Sequence, residues 1–202
     1  MRLYYSPGAC SLAPHIVLRE TKASFSLTKV DTKTHRLEDG TDYYTIASKG
    51  QVPVLELRDG TRISEGPIVS QYIADQMEAT TLLRATGTLA RIRVLEWCNY
   101  LTSEIHKSFT PIFHAYLDQP STEILKGILK KKLVWLNAQL EGKSFLTGDQ
   151  FTIADAYLFV LINWTNPIKL DISDLAHIKA FHARVGARPA VQEAMKAEGL
   201  IA

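Results

Sequence analysis

The stretch Met1-Arg2-Leu3-Tyr4-Tyr5-Ser6-Pro7-Gly8-Ala9-Cys10-Ser11-Leu12 decides how the rest of the chain is read. Leu3-Tyr4-Tyr5 is a short apolar run closed by the turn signal Ser6-Pro7-Gly8. Beyond it Leu12, His15, Ile16 and Arg19 recur at helical offsets, which predicts a helix over residues 12–20. Phe25, Leu27 and Lys29 then alternate with Ser26, Thr28 and Val30, the period of a strand. A helix between two strands makes them parallel, because a crossover is what returns the chain in the same direction. Further on, residues 54–57 and 62–64 flank Arg58-Asp59-Gly60-Thr61, a hairpin whose Asp-Gly pair supplies positive φ. Residues 65–75 are helical again. The order β-α-β, an irregular stretch, then β-β-α is that of a thioredoxin-like layer of four strands with helices on its faces.

The remainder of the chain changes character. Long segments with helical spacing cover residues 91–109, 123–140, 153–164, 175–185 and 190–197, and strand signals are scarce. Thr152-Ile153-Ala154-Asp155 carries the pattern in which an acidic fourth residue reaches back over a helix start. The fold class expected is therefore α/β plus all-α: a thioredoxin-like domain over residues 1–77, a linker over 78–87 and an all-helical domain over 88–202.

With 202 residues, 46% hydrophobic and 22% charged, the composition is that of a globular chain and not of a disordered or disulfide-dense one. A net charge of +2 argues against a strongly basic nucleic-acid binder. No apolar run approaches the roughly 20 residues that span a bilayer, and no signal peptide is expected at the N-terminus. Two cysteines, Cys10 and Cys98, suit a reducing compartment, so the cytoplasm is expected. The six histidines show no metal-ligand spacing, and no metal is expected.

Several residues offer chemistry. Cys10 falls at a helix start, where free N–H groups and the helix dipole favour a thiolate with a lowered pKa; an inert filler is the other reading. If the Val52-Pro53 bond is cis, the Val52 N–H and C=O can pair with an extended peptide; an ordinary trans loop is the alternative. Ser64-Glu65-Gly66 opens a helix whose N–H groups suit a carboxylate and whose Glu65 suits an ammonium, unless it is a plain cap. Asn99, Ser103 and His106, spaced by four and three, fall on one helix face, either as a solvated stripe or with His106 as donor or base toward a thiol.

These segments, in this order, resemble a known family over the whole chain: bacterial cytosolic glutathione transferases of the beta class. The carriers are Tyr4 to Leu12 (YYSPGACSL), Lys49-Gly50-Gln51-Val52-Pro53, Ser64-Glu65-Gly66, Glu104-Ile105-His106-Lys107 and Phe151-Thr152-Ile153-Ala154-Asp155-Ala156. The resemblance implies a homodimer that binds glutathione across the first domain, with contacts from the partner subunit. It implies catalytic roles for Cys10 and His106, with Ser11 and Tyr5 near the sulfur. It assigns Ala9, Cys10, His35, Val52, Pro53, Glu65, Gly66, Asn99, Ser103, Glu104, His106 and Lys107 to glutathione. Phe109, Phe113, Tyr157 and Trp164 are expected to wall the pocket for the electrophile, and Asp155 to serve folding. His35 stands where the class usually has lysine, and Ala47-Ser48 where it has Asn-Pro.

The activity so implied is attack of the glutathione thiolate on hydrophobic electrophiles, a detoxification. The alternatives are thiol–disulfide exchange, peroxidase or reductive dehalogenation through Cys10, and ligand binding without turnover. The identity of the second substrate, which depends on segments such as residues 116–121, is not legible in the sequence.

Overall fold

The computed structural model describes residues 1–113 and 117–202; Tyr116, at the start of the segment expected to shape the second-substrate pocket, lies outside them. Strand β1 (Arg2–Tyr5) leads through the Cys10 loop into α1 (Leu12–Glu20) and then β2 (Ser26–Asp31). A two-residue β3 (Arg36–Leu37), the hairpin β4 (Val54–Glu56) and β5 (Arg62–Ser64), and α2 (Gly66–Gln76) follow. The sheet order is β3-β2-β1-β4-β5, with β1 parallel to β2 and the other pairs antiparallel.

The thioredoxin-like layer is present with five strands where the pattern predicted four. The additional β3 pairs Leu37 with Val30 and Arg36 with Asp31. Two residues are too few to show a period of two, which is why the sequence does not announce it.

Strand β1 lies at the centre of the sheet, and Leu3, Tyr4 and Tyr5 are all buried because both faces are covered. Alternation sends Tyr5 toward α1, with ring centroids 6.3 Å from His15, and Tyr4 to the other face, 5.8 Å from Tyr43.

The helical part comprises α3 (Leu89–Tyr100), a π-helical segment (Leu101–His106), α4 (Lys107–Phe113), α5 (Gln119–Gln139), α6 (Ile153–Asn163), α7 (Ala176–Gly186) and α8 (Pro189–Ala197). The helix expected over residues 91–109 is thus interrupted by a wider turn. There the Thr102 hydroxyl donates to the Cys98 carbonyl at 2.9 Å and the Ser108 hydroxyl to the Glu104 carbonyl at 2.6 Å. Side chains that compete for helix carbonyls in this way loosen the regular ladder.

Helix α6 is buried all round, from Ile153 to Ile162, and touches α1, α2, α3 and α7, so it is the axis on which sheet and bundle meet. Its start is held as the sequence predicts. The Asp155 carboxylate accepts from the N–H groups of Leu146 and Thr152, each at 2.8 Å, and from the Thr152 hydroxyl at 2.7 Å. Burial lifts the Asp155 pKa to about 6 against these bonds, so the group stays a carboxylate at neutral pH.

Two further ties join the halves. Arg91 forks onto Asp75 at 2.8 and 2.7 Å, which holds the Asp75 pKa below its usual value, and Arg188 forks onto Glu20 at 2.6 and 3.0 Å.

Candidate functional site

A cavity of about 520 Å³ opens beside the sheet where β1 ends. Its floor carries Cys10 and the loop from Ile46 to Val54, one rim carries Ser64 to Pro67, and the opposite wall carries Thr102, His106, Lys107, Thr110 and Tyr157.

The Cys10 thiol donates to the Val52 carbonyl at 3.3 Å. Burial pushes its pKa up to about 12, outweighing the N–H groups of Cys10 and Ser11 that favour the anion. The lowered pKa expected from a helix start is therefore overturned: desolvation exceeds the dipole, and Cys10 is a neutral hydrogen-bond donor at neutral pH. The Val52-Pro53 bond is cis.

Glu65 precedes α2 with φ 71°, a left-handed conformation that costs a non-glycine residue about 1–3 kcal/mol and recurs at ligand sites. Its carboxylate meets the Lys49 ammonium at 2.7 Å, both side chains more than half exposed, so a ligand ammonium can displace the lysine cheaply. Pro67 sits in the first turn of α2, where a missing N–H costs nothing.

His35, also left-handed, is bonded through Nδ1 to the Gly50 carbonyl at 3.0 Å and lies 4.7 Å from the Tyr44 ring. Gly50 has φ 65°, and a Cβ there would come within 2.7 Å of Tyr44 and 2.8 Å of His35, so only glycine admits this clamp.

His106 receives contacts from two aromatic side chains. Its Nδ1 is 2.6 Å from the Tyr157 hydroxyl, and its ring meets Trp164 edge-on at 4.8 Å. Burial lowers its pKa to about 4, with the Lys107 charge acting in the same sense, so the ring is neutral at physiological pH. Trp164 Nε1 donates to the Gly8 carbonyl at 2.8 Å, while the Gly8 N–H donates to Glu198 at 2.9 Å. The loop before Cys10 is thus gripped from both sides by the helical part, and Glu198 is itself held by His15 Nδ1 at 2.9 Å.

Not every predicted residue reaches the cavity. Ser11 is fully buried and closes the loop onto Ser6, bonding its N–H and C=O at 3.2 Å each. Tyr5 faces α1 because alternation along β1 turns it there. Neither lines the cavity, and Ala9 does not line it either. Phe109 is 0% exposed and belongs to the core, which removes it from the pocket wall; Phe113 stacks on it at 5.8 Å and is exposed. Trp164 stands behind His106, and Tyr157 reaches the cavity from a nearly buried position. Asn99, Ser103 and Glu104 are exposed and lie off the cavity, with Glu104 paired to Lys132 at 2.9 Å. The wider turn between α3 and α4 breaks the common face on which Asn99, Ser103 and His106 were placed.

Thr102 and Thr110, which the sequence reading left out of the site, line it; a spacing of four on either side of His106 was the available signal. Lys49, Gln51 and Ser64 line it too and lie inside segments already singled out. Among the described residues no three His, Cys, Asp or Glu side chains gather as a metal site, and no helix is long and apolar enough to cross a membrane.

Fold and cavity together define a thioredoxin-like domain whose thiol-bearing helix start is roofed by a helical bundle. Comparison with known proteins carries this further. The family model for the N-terminal domain of glutathione S-transferases matches residues 1–75, and that for the C-terminal domain matches residues 100–189. The chain is 44% identical over 200 residues to glutathione S-transferase GstA of Escherichia coli O157:H7, covering 99% of this chain and 100% of that protein. A sphingomonad glutathione S-transferase solved in complex with glutathione superposes with a TM-score of 0.95 at 40% identity, over 100% of both chains. The beta-class enzyme of Sphingomonas chungbukensis superposes with 0.96 at 40% identity, again over 100% of both. The chain belongs to the glutathione S-transferase family, and the solved structures it resembles include beta-class members.

Proposed function

We propose that the protein is a glutathione transferase that lays glutathione along the 520 Å³ cavity and directs its sulfur onto a hydrophobic electrophile. The observation that carries this is convergence: the Cys10 thiol, the Val52 backbone, the strained Glu65 before α2 and the neutral His106 face one space. In this reading the γ-glutamyl end meets Glu65 and the N-terminus of α2 at Gly66. The cysteinyl backbone pairs with Val52 ahead of Pro53, the glycyl carboxylate approaches His35, and Lys107 adds positive charge.

When the ligand N–H takes the Val52 carbonyl, the Cys10 S–H is released and can donate to the glutathione sulfur beside His106. Two donors aimed at one sulfur favour its thiolate. Holding thiolate and electrophile together, the latter against Tyr157, removes much of the entropic barrier. A neutral Cys10 thiol, half-buried at the cavity floor, is a poor nucleophile, which disfavours chemistry through a mixed disulfide.

The division of labour belongs to the same proposal: residues 1–77 hold glutathione, 78–87 link, and 88–202 shape the electrophile site and the contacts of a homodimer. Asn99, Ser103 and Glu104, exposed beside the cavity wall, are then available to a glutathione bound across the dimer. Two free cysteines suit a cytoplasmic enzyme. The test is conjugation of glutathione to an aromatic halide by the wild type, Cys10→Ala and His106→Ala. Both variants should lose rate, and undiminished activity in both sinks these roles.

A further inference from the structure

Tyr157, which the resemblance places in a pocket wall, lines the cavity but is only 4% exposed. Its hydroxyl lies 2.6 Å from His106 Nδ1. Bonds in which an N–H donates to oxygen cluster near 2.9–3.0 Å, whereas O–H donors approach more closely. A phenol is also a better donor than acceptor, and burial raises the Tyr157 pKa further, so the proton stays on its oxygen across the neutral range. Thr102 stands near the phenol as well, but its hydroxyl bonds the Cys98 carbonyl at 2.9 Å, and among the described residues the Tyr157 hydroxyl makes its hydrogen bond to His106 and none to Thr102. The direction that follows is Tyr157 O–H to His106 Nδ1.

A neutral imidazole carries one N–H; with Nδ1 filled as an acceptor, the proton sits on Nε2. Among the described residues Nε2 has no protein partner, and no buried side-chain nitrogen or oxygen is left unpaired, so Nε2 is open to the cavity. We propose that Tyr157 is a positioning residue for His106: its O–H locks the neutral ring in the Nε2–H tautomer, so that His106 faces the cavity as a hydrogen-bond donor and not as a base. This deepens the glutathione-transferase reading and rests on it, because the donor's target is the glutathione sulfur. The lock works through two elements distant in sequence, the π-helical segment that carries His106 and α6 that carries Tyr157, with Trp164 packed against the His106 ring in a T-shaped contact at 4.8 Å. Second groups that orient a histidine and set its tautomer act in the same manner in metal and catalytic sites.

The test is long-range ¹H–¹⁵N NMR of the histidine rings in the wild-type protein, followed by glutathione conjugation kinetics of Tyr157→Phe. The expected spectrum shows His106 with a protonated Nε2 and an unprotonated, hydrogen-bonded Nδ1 at pH 7. In Tyr157→Phe, Nδ1 should lose its hydrogen-bonded signature and kcat should fall about threefold to tenfold, the range of one neutral hydrogen bond, with KM for glutathione changing less. A protonated Nδ1 in the wild type overturns the assignment, as does a Tyr157→Phe protein whose His106 spectrum and kcat match the wild type. The wild-type spectrum needs neither the variant nor glutathione. An inactive protein with protonated Nε2 therefore sustains the lock while sinking the transferase reading, and an active one with protonated Nδ1 does the reverse.

Discussion

Replacing Glu198 by glutamine leaves the side-chain volume intact and exchanges one carboxylate oxygen for an NH₂ group. In the native protein both oxygens accept. Oε2 takes the Gly8 N–H at 2.9 Å and Oε1 faces His15 Nδ1 at 2.9 Å. Arg19 Nε donates to His15 Nε2 at 3.4 Å, so Nδ1 carries a proton and donates to Glu198. Whichever way the new amide turns, its NH₂ meets another donor, unless His15 changes tautomer and abandons Arg19. The His15 and Glu198 side chains are fully buried, so water cannot repair the mismatch. A hydrogen bond to a charged group is worth about 1.5–3 kcal/mol, and an unpaired buried donor costs a similar amount, so Glu198→Gln should lose about 2–3 kcal/mol. For a chain of this size that lowers Tm by about 4–12 °C. Because Gly8 opens the loop that presents Cys10, and its carbonyl is held by Trp164, kcat/KM for glutathione conjugation measured well below the new Tm should fall as well. Differential scanning calorimetry and steady-state kinetics on the same preparation check both. A Tm within about 1 °C of the wild type refutes the donor–acceptor reasoning. A lowered Tm with unchanged kcat/KM refutes the claim that this clamp positions the loop.

Gly50→Ala should raise KM for glutathione and lower stability by at least about 1 kcal/mol, since the added methyl collides with His35 and Tyr44 at a positive φ; a silent substitution removes that argument. Asp155→Ala strands the buried N–H groups of Leu146 and Thr152 and should cost about 3–5 kcal/mol by urea denaturation. With the Cys10 pKa raised to about 12, its thiolate fraction grows tenfold per pH unit and does not saturate below that value. Iodoacetamide should therefore label Cys10 slowly at pH 7, with a rate still rising at pH 10. A plateau near neutrality would show a thiolate in the resting protein.

How far the site was readable can be followed residue by residue. Cys10, Val52 and Glu65 were found because each sits at a place where local backbone chemistry leaves groups free: a helix start, a residue before proline, a second helix start. His35 and Lys107 came from the resemblance, and both line the cavity. Ser11, Tyr5 and Phe109 are buried and do not line the cavity, because which face of a strand or helix a side chain takes is settled only once both faces are covered. Tyr157 had no local signal for its function: it is 51 residues from His106, and its hydroxyl partner is defined by how α6 crosses the π-helical turn.

What the sequence by itself determined is the series of elements and the class of fold. Periodicity, turn residues and the capping pattern at Asp155 are short-range effects, set by neighbours a few positions apart. What only the tertiary structure decided is the state of the groups in the cavity. A helix start alone predicts a Cys10 thiolate, yet burial makes it a neutral thiol, and the same desolvation keeps His106 uncharged. Charge state depends on the surrounding dielectric and on partners brought in from other elements, as Val52, Tyr157 and Glu198 are here. Those quantities do not exist until the sheet and the helical bundle have closed on each other.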